Sequence, residues 1–592
     1  MTLPAIARMG RERTQLPRGI SGVLALGVVA VAFALWSTGL TAVDLSLMND
    51  LGLISVLPPV TVAGPLLLTI SFAFHLVSGR PRTWIILLHV VSLIVMLYAI
   101  PIIVEEAPRF NVTWRHIGVS DVLSRTRGID PTIDAYFSWP GFFALSALLT
   151  EVAGREVTLD LVDWAPLAFN LLYLPGLLLI LRAASSDERV VWLGAWIFFA
   201  ANWIGQDYYS PQAFAYFCYL LIIGVVVTSF GRDPDPIWPL PRAWFRPRDR
   251  VEEAGLGPRQ RAALFAILIG LFAVVTASHQ LTPFAILGVV IALVVLRRIT
   301  TTGLPIVMIV IVGTWLSYMT VTYLQGHLGD MVQRIGNVDT AVAANLTDRF
   351  VGSDQHLFVL GIRTGTTVFL WGLAGLGMLR RLAAGDRDLT WPFLAAAPFA
   401  LFLLQEYGGE ILLRIYLFSL PFMALLASNA AIGHTFRHRR LAFAGTLIVG
   451  IVLLGGFLVS RYGNERMDLI TPAELTGMER LYELAPRGST LVAASDQVFW
   501  RFRDYEHYRY AVVTDELLES DLGAVLDRLA ASPNGHAYLV LSRAQRAAFE
   551  LRHGMQPGEW DALVQRIDQL PLSRVFANED VTIYALTTEE GA

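Results

Sequence analysis

The stretch that decides the fold is "VVWLGAWIFFAANWIGQDYYSPQAFAYFCYLLIIGVVV", residues 190–227. Two apolar runs, 190–204 and 213–227, read as lipid-facing helices, and "GQDYYSPQ" at 205–212 joins them. A turn between two membrane helices needs no carboxylate, no pair of tyrosines and no pair of amides. Side chains of this kind either anchor helix ends at the membrane interface or line a site.

The rest of the chain fixes the class. It has 592 residues, 55% hydrophobic and 16% charged, with a formal net charge of −4 and a mean hydropathy of +0.54. Long uncharged apolar runs recur, so the chain is mainly α, a polytopic helical membrane protein. Arg supplies every Lys/Arg position, and the single cysteine, Cys218, lies in an apolar run. Disulfides, CxxC redox pairs and cysteine zinc sites are therefore excluded. The first apolar run, from Gly19, is long enough to stay in the bilayer rather than act as a cleaved signal.

Apolar windows predict about 13 transmembrane helices, at roughly 19–41, 60–78, 83–104, 165–182, 190–204, 211–229, 262–278, 281–296, 304–323, 357–379, 391–404, 411–433 and 441–460. Arg8, Arg11, Arg13 and Arg18 precede the first, and Arg80, Arg82, Arg297, Arg298, Arg380, Arg381, Arg437, Arg439 and Arg440 fall on the same side, as does the arginine-rich loop 230–261. By the positive-inside rule that side is cytoplasmic. The expected organisation is a cytoplasmic segment 1–18, a transmembrane body 19–460 with a large extracytoplasmic loop 104–164, and an extracytoplasmic domain 461–592, in the plasma membrane. The tail alternates strands such as "STLVAAS", "YRYAVVT", "HAYLVLS" and "VTIYAL" with amphipathic stretches, which predicts a small C-terminal α/β domain. It carries no nucleotide loop, GxSxG or HExxH, so its work is to grip something at the outer face or to cap the body.

Candidate chemistry gathers on the predicted outer side. Glu105 and Glu106 stand where the third span ends, a position where reduced dielectric can raise a carboxylate towards a useful base. Acidic residues also commonly mark helix ends at the water interface. The same segment holds Arg109, Arg115, Arg125, Arg127, His116, Asp121, Asp130 and Asp134. It continues into "DAYFSWPGFFALSALL" at 134–149, whose apolar part is too short to cross and reads as a helix in the outer leaflet. Arg363 and Arg414 lie inside apolar runs near the same face, where an unpaired guanidinium costs on the order of a few kcal/mol. Each needs a carboxylate such as Glu406 or Glu410, a route to water, or the phosphate of a lipid-linked ligand. Asp207 is expected at the same depth, beside Gln206 and Tyr208, and so is His279 in "SHQLTP" at 278–283. Tyr208, Tyr209, Trp203 and Tyr136 fit an aromatic belt or a sugar platform. Carboxylates with His116 or His279 are of the type that binds a divalent metal, Mg²⁺ or Mn²⁺, although no spacing requires it.

A first outer loop that opens with carboxylates, continues through interfacial helices to "WPGFFAL", and is followed by an acid on the next outer hairpin resembles the GT-C superfamily of polytopic membrane glycosyltransferases. The resemblance covers about residues 83–230 and extends to the multi-span body with an outer C-terminal domain. It implies transfer of a sugar from a polyprenyl-phosphate-linked donor to a lipid or glycan acceptor of the cell envelope. On it, Glu105 or Glu106 takes the place of the first-loop base, with Asp134 as a rival. Asp207 takes the second-loop acid that orients the acceptor or helps hold a metal, and Arg363 or Arg414 holds the donor phosphate. Arg109, His116, Gln206, Tyr208 and His279 are further candidates for substrate contact. This chain has Glu-Glu where many members have an Asp-containing motif, and two spans precede the one that aligns with the family's first helix. The alternatives are a lipid or glycan transporter or flippase, and a non-catalytic envelope assembly protein. Nucleic-acid binding has no support, because the basic patches flank membrane spans.

Overall fold

The computed structural model describes residues 18–78, 82–154, 162–232, 255–325, 350–403, 410–432 and 439–586. Glu406, Arg80, Arg437, most of the loop 230–261 and all but one residue of the segment 1–18 lie outside the described residues.

The body opens with α1 (Arg18–Leu40), α2 (Pro59–Leu76), α3 (Thr83–Tyr98) and the short α4 (Ile100–Val104). The long loop carries α5 (Asn111–Thr126) and α6 (Gly141–Val152). Then follow α7 (Ala165–Ala184), α8 (Glu188–Ala201), α9 (Pro211–Ser229), α10 (Pro258–Ser278), α11 (Thr282–Val295) and α12 (Leu304–Tyr318). The body closes with α13 (Asp354–Ala383), α14 (Thr390–Ala396), α15 (Ile411–Ala431) and α16 (Arg439–Tyr462). Each apolar window of the sequence coincides with a helix. Among the described residues eight helices, α1, α2, α7, α9, α10, α13, α15 and α16, are long and apolar enough to cross a membrane, whereas α3, α11, α12 and the segment 390–402 are apolar but shorter.

Proline explains where one short helix stops and how the packing repairs the break. Pro101 lacks an N–H, which frees the Leu97 carbonyl at the end of α3, and the Tyr462 hydroxyl donates to that carbonyl at 2.6 Å. Pro421 inside α15 frees the Leu417 carbonyl in the same way, and the Tyr216 hydroxyl of α9 donates to it at 2.8 Å. Water is absent from a bilayer interior, so these buried tyrosines meet acceptors that would otherwise be costly. Close helix approach is set by Gly377 of α13, where a Cβ would lie 1.8 Å from the Leu426 carbonyl oxygen of α15.

The C-terminal region holds a five-stranded sheet of β1 (Thr490–Ala493), β2 (Arg509–Val512), β3 (Ala537–Ser542), β4 (Leu572–Ala577) and β5 (Val581–Leu586), in the order β2-β1-β3-β5-β4. β1 pairs in parallel with β2 and β3, while β5 runs antiparallel to β3 and β4. β1 and β3 are buried throughout, which is why their sequences read as continuous apolar runs. One core packs Trp114 and Ile117 of α5 with Leu491, Val540 and Ile583 of the sheet. The loop 104–164 and the tail 461–592 therefore share an interior. Gly118 allows this contact, since a Cβ there would meet the Arg501 carbonyl oxygen at 1.7 Å.

Candidate functional site

The hairpin "GQDYYSPQ" does several local jobs at once. Gly205 turns the chain with a φ of 72°, Ser210 caps α9 by accepting from the Ala213 N–H at 3.1 Å, and Pro211 occupies its first position. The Tyr209 carbonyl accepts from His116 Nδ1 at 2.8 Å, and the Tyr209 hydroxyl bonds Ser120 at 2.9 Å, so the hairpin is fastened to α5. That leaves Gln206, Tyr208 and Gln212 on the wall of a cavity.

The cavity has two adjoining lobes, of about 240 and 570 Å³, whose walls share Tyr136, Gln206, Tyr208, Gln280 and Arg414. The smaller lobe adds Arg115, His116, Asp134, Gln212, His279 and Tyr323. The larger adds Arg363, Glu410, Asp468, Asp496, Gln497 and Arg552. Residues from α5, the 134–139 turn, the 205–212 hairpin, α13, α15 and the C-terminal region thus meet in one place. Among the described residues, buried polar atoms on these walls without a hydrogen-bond partner include His116 Nε2, Gln206 Oε1 and both amide atoms of Gln212. Buried polar atoms in folded proteins are nearly always partnered, so such a set on a cavity wall marks where a ligand's polar groups would bond.

Asp134 is the acid on the wall of the smaller lobe. Its Oδ2 accepts from Arg115 Nε at 2.8 Å, from Arg115 Nη2 and from the Tyr505 hydroxyl, while Oδ1 accepts the Tyr136 N–H at 3.0 Å. Burial works to raise the carboxyl, but the Arg115 guanidinium and these hydrogen bonds outweigh it and hold Asp134 below the usual carboxylate range. It is ionised at neutral pH, and Oδ1 keeps acceptor capacity for a substrate hydroxyl. The two histidines are neutral. Burial pushes His116 down to about 3, aided by Arg115, and pushes His279 down to about 3, aided by Arg414. His116 gives its Nδ1 proton to the Tyr209 carbonyl, which leaves Nε2 an acceptor. His279 Nδ1 accepts from the Leu281 and Thr282 N–H groups, both at 3.2 Å, which leaves its Nε2 a donor.

The cations are held by the protein. Arg414 is buried and donates from Nη2 to Glu410 at 2.8 Å, the carboxylate partner that its sequence context calls for. Arg363 donates from Nε to the Ser460 carbonyl at 2.8 Å and lies 5.7 Å over the Trp203 ring. Arg552, from the helix Arg543–Arg552, brings a third guanidinium, 3.5 Å from Asp496.

The other predicted acids sit elsewhere. Asp207 does not line these lobes; it turns inward to Arg461 Nη2 at 2.9 Å and to the Asn170 amide, with both charged side chains at most 2% exposed. Glu105 and Arg109 line a separate cavity of about 20 Å³ that also touches Tyr208. Arg109 pairs with Glu465, and burial pushes Glu105 above the usual carboxylate range against the pull of Arg109. Glu106, its neighbour, is exposed. Sequence reading passed over Arg461, Asn170, Tyr505 and Arg552. The cost of a guanidinium at the end of an apolar run, the signal that singled out Arg363 and Arg414, applies equally to Arg461.

At Asp207 the neighbouring charge does not favour a divalent metal. Asp207, the acid to which the resemblance gives metal binding, faces Arg461, where a second cation would be repelled. Among the described residues no group of three or more His, Cys, Asp or Glu side chains is placed to hold an ion.

The helical body shares its fold with solved archaeal oligosaccharyltransferase structures. The archaeal oligosaccharyltransferase AglB from Archaeoglobus fulgidus, solved with an inhibitory peptide and a dolichol-phosphate, is 10% identical. The match covers 85% of this chain and 74% of that one, with a TM-score of 0.52. The Archaeoglobus fulgidus oligosaccharyltransferase complexed with Zn and sulfate is 12% identical over 81% of this chain and 69% of that one, with a TM-score of 0.50. ArnT from Cupriavidus metallidurans bound to undecaprenyl phosphate is 13% identical over 86% and 98%, with a TM-score of 0.49. No protein-family model matches the chain, and no curated protein sequence matches it.

Proposed function

We propose that this protein is an integral membrane glycosyltransferase that takes a sugar from a polyprenyl-phosphate-linked donor and transfers it to an acceptor at the extracytoplasmic face. The observation that carries the reading is a single cavity, on a GT-C fold, in which an ionised carboxylate, neutral histidines and guanidinium groups from separate elements converge. The archaeal structure described above binds a dolichol-phosphate, a donor carrier of the proposed kind.

Arg414 and Arg363 hold the donor phosphate, and their fixed positive charge stabilises it as it leaves with the bonding electrons. Asp134 accepts the hydrogen bond, and then the proton, of the attacking hydroxyl. A carboxylate of depressed basicity suffices because a phosphate leaving group lets bond breaking run ahead of attack. His116, His279, Gln206, Gln212, Tyr136 and Tyr208 orient sugar hydroxyls. Asp207 and Glu105 act behind this wall: with Arg461, Arg109 and Glu465 they lock the hairpin and α5 against α16.

The test is turnover of a polyprenyl-phosphate-linked sugar by membranes enriched in the protein. Asp134→Asn is expected to lower the transfer rate by about 10²–10⁴-fold, the usual contribution of a positioned base. Undiminished transfer in a variant that elutes as the native species would remove Asp134 from the chemistry.

A further inference from the structure

Another cavity, of about 840 Å³, opens between the loop that follows α5 and the segment 501–510, which leads into β2. We propose that this groove binds a saccharide chain, the acceptor glycan of the reaction, and delivers its end to Asp134. The proposal deepens the transferase reading and rests on it for the acceptor role.

The groove's size falls within the ~300–1,000 Å³ of ligand-holding cavities. Its walls carry Tyr505, Tyr508 and Tyr510 together with Arg501, Arg509 and Glu506. Tyrosine offers a flat apolar face to the C–H side of a sugar ring and a hydroxyl to its polar edge. Side chains of both signs bond neutral hydroxyls without demanding a net charge from the ligand. A lipid tail would need a continuous apolar surface, which polar residues here interrupt.

Two observations separate the groove from an ordinary crevice. Arg501 holds a left-handed backbone, φ 68°, and Asp504 another, φ 46°, costs that persist where surrounding contacts impose them and that cluster at binding sites. Arg501 Nε is also buried without a hydrogen-bond partner, although its guanidinium lies 5.0 Å from the Tyr510 ring. That N–H awaits an acceptor oxygen.

The groove is joined to the catalytic cavity by one piece of chain. Asp130, Thr132 and Ile133 line the groove, whereas the next residues, Asp134, Ala135 and Tyr136, line the cavity. Tyr505 belongs to the groove and its hydroxyl donates to Asp134. A chain lying in the groove would therefore rest against Tyr505, whose hydroxyl bonds the carboxylate.

The experiment is saturation-transfer NMR on the full chain in nanodiscs, titrated with maltotetraose, mannotetraose and tetragalacturonate, with undecaprenyl phosphate titrated in parallel. Saturable binding of one or more tetrasaccharides is expected, weakened tenfold or more by Arg509→Ala, an exposed position, and by Tyr508→Ala, with Tyr508→Phe close to wild type. Absence of saturable binding by all three probes, or wild-type affinity in both alanine variants, would overturn the proposal. Saccharide binding without undecaprenyl phosphate binding would instead sink the transferase reading and leave the groove standing as a saccharide site.

Discussion

Asp207 and Arg461 form a buried ion pair, to which the Asn170 amide adds a hydrogen bond. With both side chains at most 2% exposed, removing one charge strands the other, which costs about 3–5 kcal/mol. Asp207→Asn is therefore predicted to lose stability as well as turnover, read as a lowered thermal midpoint in detergent. Asp207→Leu combined with Arg461→Met should recover much of the stability but not the turnover. An unshifted midpoint in Asp207→Asn would mean that the pair does not hold the site. The histidines give a prediction in pH. His116 and His279 have folded values of about 3, below the ordinary histidine value of 6.5, so the unfolded chain binds their protons first as pH falls. Their contribution to stability is full above about pH 6.5 and is lost as pH drops towards 3, at up to about 1.4 kcal/mol per unit for each. His116→Gln should flatten the slope of unfolding free energy against pH in that window; an identical slope would mean that His116 is solvated. At this scale the sequence disclosed residue types but not directions. Arg363 and Arg414 were legible because an apolar run makes a guanidinium expensive, and Asp134 because it opens the "DAYFSWP" turn. The inward turn of Asp207 was not legible, since its partner lies 254 positions away.

Helix positions were legible to within a few residues because bilayer thickness fixes the length of an apolar run. The breaks were harder to read. α3 ends at Tyr98 and the third window continues as α4, because Pro101 removes a backbone donor. The repair comes from Tyr462, far along the chain. Tyr216→Phe is predicted to destabilise the fold by about 1–3 kcal/mol, since it strands the Leu417 carbonyl freed by Pro421. A change within error in the unfolding midpoint would show that another donor serves that carbonyl. Four of the five strands were legible from alternation or apolar runs, and β4 was not, because its exposed, mixed sequence "LSRVFA" resembles a loop. The junction of α5 with the C-terminal region depends on Gly118. Gly118→Leu should force the Arg501 carbonyl away and expose the segment between β1 and β2 to limited proteolysis, while wild-type cleavage kinetics would contradict the contact.

The whole molecule is a helical body whose loop-bearing end is closed by a sheet that shares its core with α5. The site exists only where the body, the 134–139 turn, the 205–212 hairpin and the C-terminal region meet. Composition and span count were enough to give the class of fold, because a chain this apolar has few ways to satisfy its backbone. They could not give the site, because convergence is a property of packing. The central claim is that the guanidinium-lined lobes hold the phosphate of a polyprenyl carrier. The most direct measurement is equilibrium binding of undecaprenyl phosphate to the protein in nanodiscs, compared with Arg414→Gln. Saturable binding that weakens about 10–100-fold in the variant is predicted, the cost of a lost charge-assisted hydrogen bond. No saturable binding, or equal affinity in the two proteins, would contradict it.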